Sequence, residues 1–316
     1  MKKSLLALAT ACTCGAVAAQ SSVTLYGVLD ISVGKATGGS FGVNGGKAPL
    51  TAANTAGNQS YHTPSRFGLR GTEDLGGGLK ANFNLESNGI SLASGGLPGN
   101  LFGREAWVGI SGDFGSTRLG RTSSFGTQGH ARYDLNGISQ SSAMDRAGIS
   151  PVTWYGSSRR DAQLQYVSPN MGGFDAGVSV VLGGNNAGQQ STQFRANYGN
   201  GPLSVGYVAE TKRTAANRTA QALAGSYTLG TSKVVAGYVV SETQAKGKGA
   251  YVGAMTTMGA FSLGGHYARN STTKGNATEL FGNYALSKRT SLYLDYVRLG
   301  GSASGNSYAL GVLHSF

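Results

Sequence analysis

The sequence predicts an all-β protein, a 16-stranded antiparallel β-barrel that spans a membrane. Three observations support this prediction. Charged residues are only 13% of the chain, about half the ~25% of an ordinary soluble domain. Glycine is abundant, with 52 of 316 residues, and apolar and polar residues alternate in segment after segment. Beyond the N-terminus there is no run of about 18 apolar residues, which excludes a bundle of membrane-spanning helices.

Residues 1–19 have the pattern of a bacterial secretory signal peptide. A basic start at Met1–Lys3 is followed by a short apolar run and then by small residues. We expect the peptide to be removed by cleavage after Ala19, with cleavage after Ala18 as the second choice. Residues 20–316 are then the mature protein and form the barrel.

The two cysteines, Cys12 and Cys14, both lie within this signal. The mature chain therefore has no thiol and no disulfide. A lipoprotein would use Cys12 as its lipid anchor, but the preceding Ala9-Thr10-Ala11 fits that processing poorly. Removal of the two lysines of the signal reduces the formal net charge from +12 to about +10.

Strand-type alternation begins near residue 23 and is clear at 23–33, 65–72, 79–86 and 291–298. In 79–86, the apolar face holds Leu79, Ala81, Phe83 and Leu85, and the polar face holds Lys80, Asn82, Asn84 and Glu86. A repeat of two residues is the pattern of a β-strand with two different faces. A polar second face on every strand is what a water-filled lumen requires.

Short and long connections alternate between these strands. The short ones are 73–78, 112–115, 168–172, 199–202 and 287–289. The long ones are about 35–59, 92–101, 184–191, 214–218, 244–248, 271–276 and 301–305, and the longest is about 122–152. One end of the barrel is therefore plain and the other elaborate, and the paired segments number about sixteen, an even count as in bacterial barrels.

A soluble β-sandwich is the alternative, because its strands also alternate. Aromatic residues near the strand ends favour the barrel, since such residues form belts at membrane interfaces. Those residues are Tyr26, Phe67, Trp107, Phe114, Tyr166, Tyr198, Tyr227 and Tyr284.

Specific stretches of the chain resemble a known family. They are Ser22–Gly27 (SVTLYG), Ser65–Ala81 (SRFGLRGTEDLGGGLKA), Phe102–Ile110 (FGREAWVGI) with Phe114-Gly115 and Leu119–Arg121, Tyr166–Pro169 with Gly172–Phe174, and Gly311–Phe316 (GVLHSF). Together they resemble the Gram-negative general porins of the β-proteobacterial type, over the whole mature chain.

This resemblance implies a 16-stranded barrel that forms a homotrimer, with one pore in each subunit. It also implies a third loop that folds inward and narrows the pore, and the stretch of about 122–152 is where this sequence has that loop. One departure is visible: the family often has Arg-x-x-Asn-Ser where this chain has Arg159-Arg160-Asp161-Ala162-Gln163.

Basic residues on polar strand faces are the candidates for the pore wall, because low-dielectric walls focus the field of such charges. Those candidates are Arg66, Arg70, Lys80, Arg118 and Arg159, of which Arg66 and Arg159 match family positions. Arg104 also matches a family arginine, but it shares its parity with Ala106 and Val108, so its face stays open. Some of these cations could instead lie at the rims, against lipopolysaccharide phosphates.

Acidic partners on the inward loop would be Asp134 and Asp145, and Asp30 lies on the polar face of the first strand. Opposed charges across a narrow pore would create a transverse field. The resemblance also implies that Phe316, a terminal aromatic residue, is the signal for barrel assembly.

Other chemistries have little support in the sequence. The four histidines are His62, His130, His266 and His314. They are scattered, without a neighbouring nucleophile or a carboxylate cluster, so we expect no catalytic site, no metal and no cofactor. No basic run with interleaved aromatic residues indicates nucleic-acid binding.

Three functions remain open at this stage. The first is a general diffusion porin of the outer membrane, passing small hydrophilic solutes and ions with a weak preference for anions. The second is a substrate-selective porin for phosphate or organic acids on the same fold. The third is a barrel enzyme or adhesin that conducts nothing. We favour the first, in an environment of outer-membrane lipid and lipopolysaccharide.

Overall fold

The computed structural model describes residues 22–36, 51–53, 61–93, 95–97, 99–183, 190–212, 218–302 and 304–316. The predicted signal peptide lies outside these ranges. Seventeen strands occur in the described residues. In chain order they are β1 (Ser22–Ala36), β2 (Thr51–Ala53), β3 (Arg66–Gly76), β4 (Leu79–Glu86), β5 (Glu105–Gly112), β6 (Gly115–Ser123), β7 (Arg159–Val167), β8 (Phe174–Val181), β9 (Ser191–Asn200), β10 (Leu203–Lys212), β11 (Ala220–Leu229), β12 (Ser232–Val240), β13 (Lys248–Met258), β14 (Phe261–Asn270), β15 (Asn276–Ala285), β16 (Thr290–Gly300) and β17 (Gly305–Ser315).

Sixteen of these strands form one closed antiparallel barrel. From β3 onward each strand pairs with the next, and β1 closes the ring by pairing with both β3 and β17. Closure is physically required in lipid, because an open sheet edge would leave backbone groups without hydrogen bonds. The predicted number of strands is confirmed. The short β2, which was not predicted, lies within the expected long connection 35–59 and pairs with β1 at Ser32–Gly34.

The two faces of the barrel differ as the alternation predicts. On β17, Tyr308, Leu310 and Val312 are exposed on the outside, whereas Ser307 and Ala309 are buried on the inside. Large apolar side chains are exposed in the same way on strands around the ring. An outer surface of this kind suits hydrocarbon rather than water. Among the described residues, no helix has the length and apolar character needed to cross a membrane.

Two of the aromatic residues expected in the belt point into the lumen instead. Tyr26 donates a hydrogen bond from its hydroxyl to Asn84 at 2.9 Å. The indole Nε1 of Trp107 donates to Glu105 at 3.0 Å, and the ring lies 4.5 Å beneath the guanidinium of Arg118. Both residues have the parity of the polar face of their strand, so their side chains point into the lumen. Nearness to a strand end does not show which face a side chain is on.

Tight turns close the plain end of the barrel. Gly76, Gly77 and Gly78 between β3 and β4 have φ angles of 81°, 59° and 82°. This left-handed region is accessible to glycine at little cost, which explains the glycine triplet. In bacterial barrels the short turns face the periplasm, so the long connections face the outside of the cell.

The connection between β6 and β7 runs from 124 to 158 and has secondary structure of its own. It contains helix α1 (Phe125–Tyr133), helix α2 (Ala143–Arg146) and a 3-10 helix (Pro151–Gly156). Its bounds differ from the expected 122–152, because β6 continues to Ser123 and the 3-10 helix delays the start of β7. The side chain of Ser124 caps α1 by accepting a hydrogen bond from the backbone N–H of Thr127 at 3.1 Å.

The segment 124–158, which we call the inner loop, packs against the inside of the wall. Five of its large apolar side chains are almost completely buried: Phe125, Tyr133, Met144, Ile149 and Trp154. They form one apolar cluster with the inward side chains of Val208, Val235 and Val239. The main hydrophobic core of the molecule therefore lies between this loop and the wall.

Removing Phe316 is expected to reduce the amount of folded protein in the outer membrane several-fold. The backbone N–H and C=O of Phe316 each bond to Gly27 at 3.0 Å, where the last strand meets the first. The ring packs so closely on Gly27 that a Cβ there would lie 2.3 Å from it. The measurement is the heat-modifiable band of outer-membrane fractions in electrophoresis. Normal levels of that band would contradict the prediction. The control is Phe316→Tyr, which keeps an aromatic ring at the last position and should keep the wild-type level.

Candidate functional site: the narrow part of the lumen

Three arginines meet where the first hairpins approach the inner loop. Arg66 begins β3, Arg104 immediately precedes β5 and Arg159 begins β7. These positions come together because antiparallel pairing aligns the corresponding strand ends: Glu86 lies opposite Glu105, and Ser123 lies opposite Arg159. The arginines therefore lie at one level of the barrel although almost a hundred residues separate the first from the last.

A single carboxylate holds two of these guanidinium groups. Glu86, the last residue of β4, accepts a hydrogen bond from Arg104 Nε at 2.5 Å, and Arg66 Nε lies 3.6 Å from its other oxygen. Arg66 also donates to the carbonyl oxygen of Pro64 at 2.9 Å. Arg159 makes no ion pair with any described residue, and its Nη1 donates to the hydroxyl of Ser158 at 2.9 Å. Positive charge therefore exceeds negative charge at this level.

Two cavities adjoin this level, one on each side. The lower cavity, on the side of the short turns, has a volume of about 510 Å³ and includes Arg70, Glu86, Glu105 and Arg118 in its lining. The upper cavity has a volume of about 570 Å³ and includes Arg66, Asp145 and Arg146. Arg104, Ser123 and Arg159 line both. These shared residues mark the boundary between the two cavities.

Four of the five predicted basic residues line this passage. Arg66 lines the upper cavity and Arg159 both, whereas Arg70 and Arg118 line the lower one. Arg70 lies over the ring of Tyr26, 5.0 Å from its centroid. A guanidinium that is stacked on a ring keeps its donor edge free to face the lumen.

Lys80 is not brought to this site. It is exposed, lines neither cavity and lies beside the turn between β3 and β4, where it pairs in register with Asp74. The alternation of residues along β4 predicts that Lys80 lies on the polar face. Its position at the start of the strand, next to the turn, puts it at the rim instead of at the narrow part of the lumen.

The two loop acids have different positions. Asp145 lines the upper cavity together with Arg66 and Arg146. Asp134 is buried inside the loop, where it accepts a hydrogen bond from Ser142 at 2.7 Å and pairs with His130 at 3.1 Å. Its carboxylate therefore serves the loop and does not face the arginines.

Asp30 does not line either cavity. It is completely buried and accepts hydrogen bonds from the backbone N–H of Thr63 and from the hydroxyl of Tyr293, both at 2.7 Å. It therefore fixes the chain that leads into β3 and positions Arg66 only indirectly.

Sequence reasoning did not find three of the charged residues that line the passage: Glu86, Glu105 and Arg146. Glu86 was visible on the polar face of 79–86, next to a family motif, and could have been included as the counter-charge. Arg146 lies in a loop, where no period indicates a direction. Arg104, whose face was left open, points into the lumen.

The inner loop is fastened to the wall by buried polar contacts. Asn136 Nδ2 donates to Glu279 and to Asp295, both at 2.9 Å. Glu279 also accepts from the hydroxyl of Ser139 at 3.0 Å and from the backbone N–H of Ala143 at 3.1 Å. One wall carboxylate thus binds three groups of the loop, and this connection keeps the loop across the lumen.

Further contacts hold the two ends of the loop. At its start, the backbone N–H of Phe125 donates to Gln193 at 2.7 Å. At its end, the guanidinium of Arg160 forms a bidentate pair with Glu210, with both N···O distances 2.9 Å, and donates to the carbonyl of Trp154 at 2.8 Å. A bidentate pair of this kind fixes direction as well as distance.

Burial and neighbouring charges shift the pKa values of the loop groups. Burial alone would raise the pKa of Asp134, but the hydrogen bond and charge of His130 hold it well below its usual range. Burial alone would lower the pKa of His130, but Asp134 raises it above its usual value. Burial, the largest effect, raises the pKa of Asp145 and lowers that of Arg146 to about 10. The ion pair inside the loop is therefore favoured.

A closed barrel with an apolar outer face, a polar lumen and charged side chains along the passage is the architecture of an outer-membrane channel. Residues 4–304 match the model of a protein family that is described as Gram-negative porin. Outer membrane porin protein 32 of Delftia acidovorans is 35% identical over 257 residues, covering 74% of this chain and 68% of that protein. An outer membrane porin of Bordetella pertussis is 29% identical, covering 98% of this chain and 90% of that one.

Solved structures agree with this assignment. The anion-selective porin from Comamonas acidovorans superposes with a TM-score of 0.75 at 25% identity, over 94% of this chain and all of that one. OmpF of Salmonella typhi has the same fold, with a TM-score of 0.70 at 14% identity over 93% of this chain and 97% of that one. The chain belongs to the Gram-negative porin family, which is a family of channels. It is a multi-pass protein of the outer membrane.

Proposed function

We propose that this porin is a general diffusion pore with a preference for anions, and that selection occurs where the inner loop faces Arg66, Arg104 and Arg159. One observation carries the proposal. The two cavities together are lined by six arginines and three carboxylates, and the other three arginines are Arg70, Arg118 and Arg146. The passage therefore has a net charge of +3 at neutral pH.

The geometry makes this excess charge effective. The arginines are held by protein on one side and face water on the other, so the low-dielectric wall directs their field into the lumen. Anions accumulate there and cations are depleted, most strongly when salt does not screen the charges over ~10 Å at 0.1 M. The anion selectivity of the Comamonas porin, which has the same fold at 25% identity, is consistent with this proposal.

The test is a planar-bilayer recording of the purified protein in a tenfold gradient of potassium chloride. We expect a zero-current potential with the sign of chloride permeation, and a larger value at low salt than at high salt. A potential of the opposite sign would contradict the proposal. Current that saturates with one organic acid or with phosphate would indicate the substrate-selective porin instead. The absence of any conductance would contradict both the general diffusion pore and the substrate-selective porin.

We propose a passive role without catalysis. His130 and His266 are engaged in structural contacts: His130 pairs with Asp134, and His266 binds Glu279 at 3.0 Å and accepts from the backbone N–H of Leu135 at 3.2 Å. His130 also bonds to the buried hydroxyl of Ser150 at 2.7 Å, and neither histidine lines the lower or the upper cavity. Both contribute to holding the inner loop.

The protein is proposed to form a homotrimer in lipid and lipopolysaccharide, with the early and the last strands at the interface. Electrophoresis of an unheated sample extracted in mild detergent should show a band near three times the monomer mass, which converts to monomer on boiling. Monomer alone before boiling would contradict this.

Export is proposed to remove residues 1–19 without addition of lipid. Mass spectrometry of the outer-membrane form should therefore find Gln20, free or cyclised, as the first residue. A diacylglyceryl group on Cys12 would show that the lipoprotein alternative is correct.

A further inference from the structure

The inner loop contributes three aliphatic side chains to the lining of the upper cavity. They are Ala131 in α1, Ile138 between α1 and α2, and Val152 in the 3-10 helix, and we call them the aliphatic set. Ala131 is exposed, and Ile138 and Val152 are half-buried, so each keeps accessible surface. Other apolar side chains of the loop, such as Phe125 and Trp154, are buried against the wall. The aliphatic set is therefore apolar surface that the packing of the loop leaves uncovered.

Ile138 has a backbone conformation that isoleucine rarely adopts. Its φ angle is 57°, in the left-handed region, and the preceding Gly137 has a φ angle of 69°. Glycine adopts this region at little cost, whereas a β-branched residue there is an outlier, because its side chain crowds the backbone. Asparagine would fit the same conformation with less strain. The turn itself therefore does not explain an isoleucine at this position.

Contacts on both sides of Ile138 hold the strained turn. Asn136 Nδ2 donates a hydrogen bond to Glu279 of the wall at 2.9 Å, and the backbone N–H of Gln140 donates to the carbonyl oxygen of His62 at 3.1 Å. These contacts fix the turn from two directions, and Ile138 lies between them in the lining of the upper cavity. Strain of this kind persists only where the surroundings impose the conformation, and it concentrates at functional positions. What isoleucine presents to the cavity is therefore the better explanation of its presence.

The wall side of the same cavity is cationic. Arg66, Arg104 and Arg159 line it from the wall. Among the described residues of the lining, the inner loop contributes one acid, Asp145, and one base, Arg146, whose formal charges cancel. The wall therefore presents three guanidinium groups, whereas the loop is neutral overall and includes the aliphatic set. A solute in this cavity meets cations and aliphatic surface at the same time.

We propose that the upper cavity favours amphipathic anions, which are small carboxylates with an alkyl chain, over hydrophilic anions of equal charge. The carboxylate of such a solute binds the guanidinium groups of the wall. Its alkyl chain contacts the aliphatic set, which removes apolar surface from water. Ile138 is the residue that determines this preference. The proposal rests on the proposed anion preference and names the class of anion that passes best.

The test measures the permeability ratio of hexanoate to gluconate in planar bilayers, with the potassium salt of one anion on each side. The two carboxylates have the same charge and the same number of carbon atoms, but gluconate is hydroxylated along its chain. The variants are Ile138→Asn, which removes the aliphatic surface and fits the left-handed conformation, and Ile138→Leu, which keeps the volume and the apolar character. Val152→Thr is a third variant, because it adds a hydroxyl group with little change of shape.

We expect Ile138→Asn to lower the ratio of hexanoate to gluconate about fourfold, the effect of one methylene group transferred from water to an apolar contact. Val152→Thr should lower it about twofold, since a hydroxyl group replaces one methyl group of a half-buried side chain. Ile138→Leu should keep the wild-type ratio. An unchanged ratio in both Ile138→Asn and Val152→Thr would overturn the proposal. An equal fall in Ile138→Asn and Ile138→Leu would also overturn it, because the shape of the turn rather than its apolar character would then be responsible.

Recordings in a gradient of potassium chloride separate this proposal from the proposed function. The three variants carry the wild-type charge, so all should keep the wild-type zero-current potential. A changed potential in Ile138→Asn would mean that the substitution displaces the arginines, and it would overturn the assignment to apolar contact. Cation preference of the wild type in this gradient would contradict the proposed function and leave the comparison of the two carboxylates valid, since both are anions of the same charge.

Discussion

Replacing Arg66 and Arg159 together by serine is expected to move the zero-current potential in a tenfold salt gradient by about 20 mV or more toward cation preference. The two substitutions reduce the charge of the passage from +3 to +1 and leave Glu86 with one cationic partner, Arg104. An ideally selective pore would reach about 59 mV, so a shift of this size is easily measured. The measurement is a planar-bilayer recording, and the shift should decrease as the salt concentration rises.

The same double variant should pass bulky neutral solutes faster. Arg159 lines both cavities, so two shorter side chains widen the passage at its boundary. The rate of swelling of liposomes in neutral sugars of increasing size measures this. A matched control is Lys288→Ser with Arg289→Ser, which removes two cations at an exposed turn. If the double variant kept the reversal potential of the wild type while the control changed it, charge at the rim would be the better explanation of selectivity.

Replacing Glu279 by glutamine is expected to loosen the inner loop. The carboxylate accepts hydrogen bonds from Asn136, Ser139 and the backbone N–H of Ala143, and it contacts His266. An amide has almost the same shape but turns one acceptor into a donor, so at least one buried N–H of this group faces another donor. A buried donor without an acceptor costs about 1–3 kcal/mol. That cost falls on the attachment of the loop, while the barrel itself keeps its strand pairing.

The readouts are brief closures in single-channel current and limited proteolysis within 124–158 of the folded protein. Both should increase in Glu279→Gln. Asp175→Asn is the control, because Asp175 is also a carboxylate on the inner wall, and its hydrogen-bond partners among the described residues, Arg195 and Asn197 at 3.0 Å each, belong to the neighbouring strand and not to the inner loop. Quiet channels and a protected loop in Glu279→Gln would mean that the apolar cluster around Phe125 and Trp154 suffices to hold the loop.

Much of the fold follows from the sequence because the signals for it are local. The face of a strand residue depends on parity alone, and lipid on one side with water on the other makes that parity visible in every strand. Thus the inward direction of Asn82, Asn84 and Glu86, which line the lower cavity, was assigned without long-range information. Loop lengths predicted which end is plain, and the glycine triplet at 76–78 marked one of its turns.

The placement of the charged groups was predicted only in part. Parity directed Arg66, Arg70, Arg118 and Arg159 to the inside, which their lining of the cavities matches. Parity carries no information about depth, so Lys80 was grouped with them although it lies at the rim. For loop residues there is no parity at all, and Asp134 was assigned to the pore when its partners are His130 and Ser142 inside the loop.

The sequence by itself determined that this is a barrel of sixteen strands with two chemically different faces, since each strand carries its own alternation. Only the tertiary structure decided where the inner loop lies and which charges remain unbalanced. Asn136 and Asp295 are 159 positions apart in the chain, and no local pattern relates them. Closure of the ring brings them within hydrogen-bond distance, and a contact that depends on closure has no counterpart in the sequence around either residue.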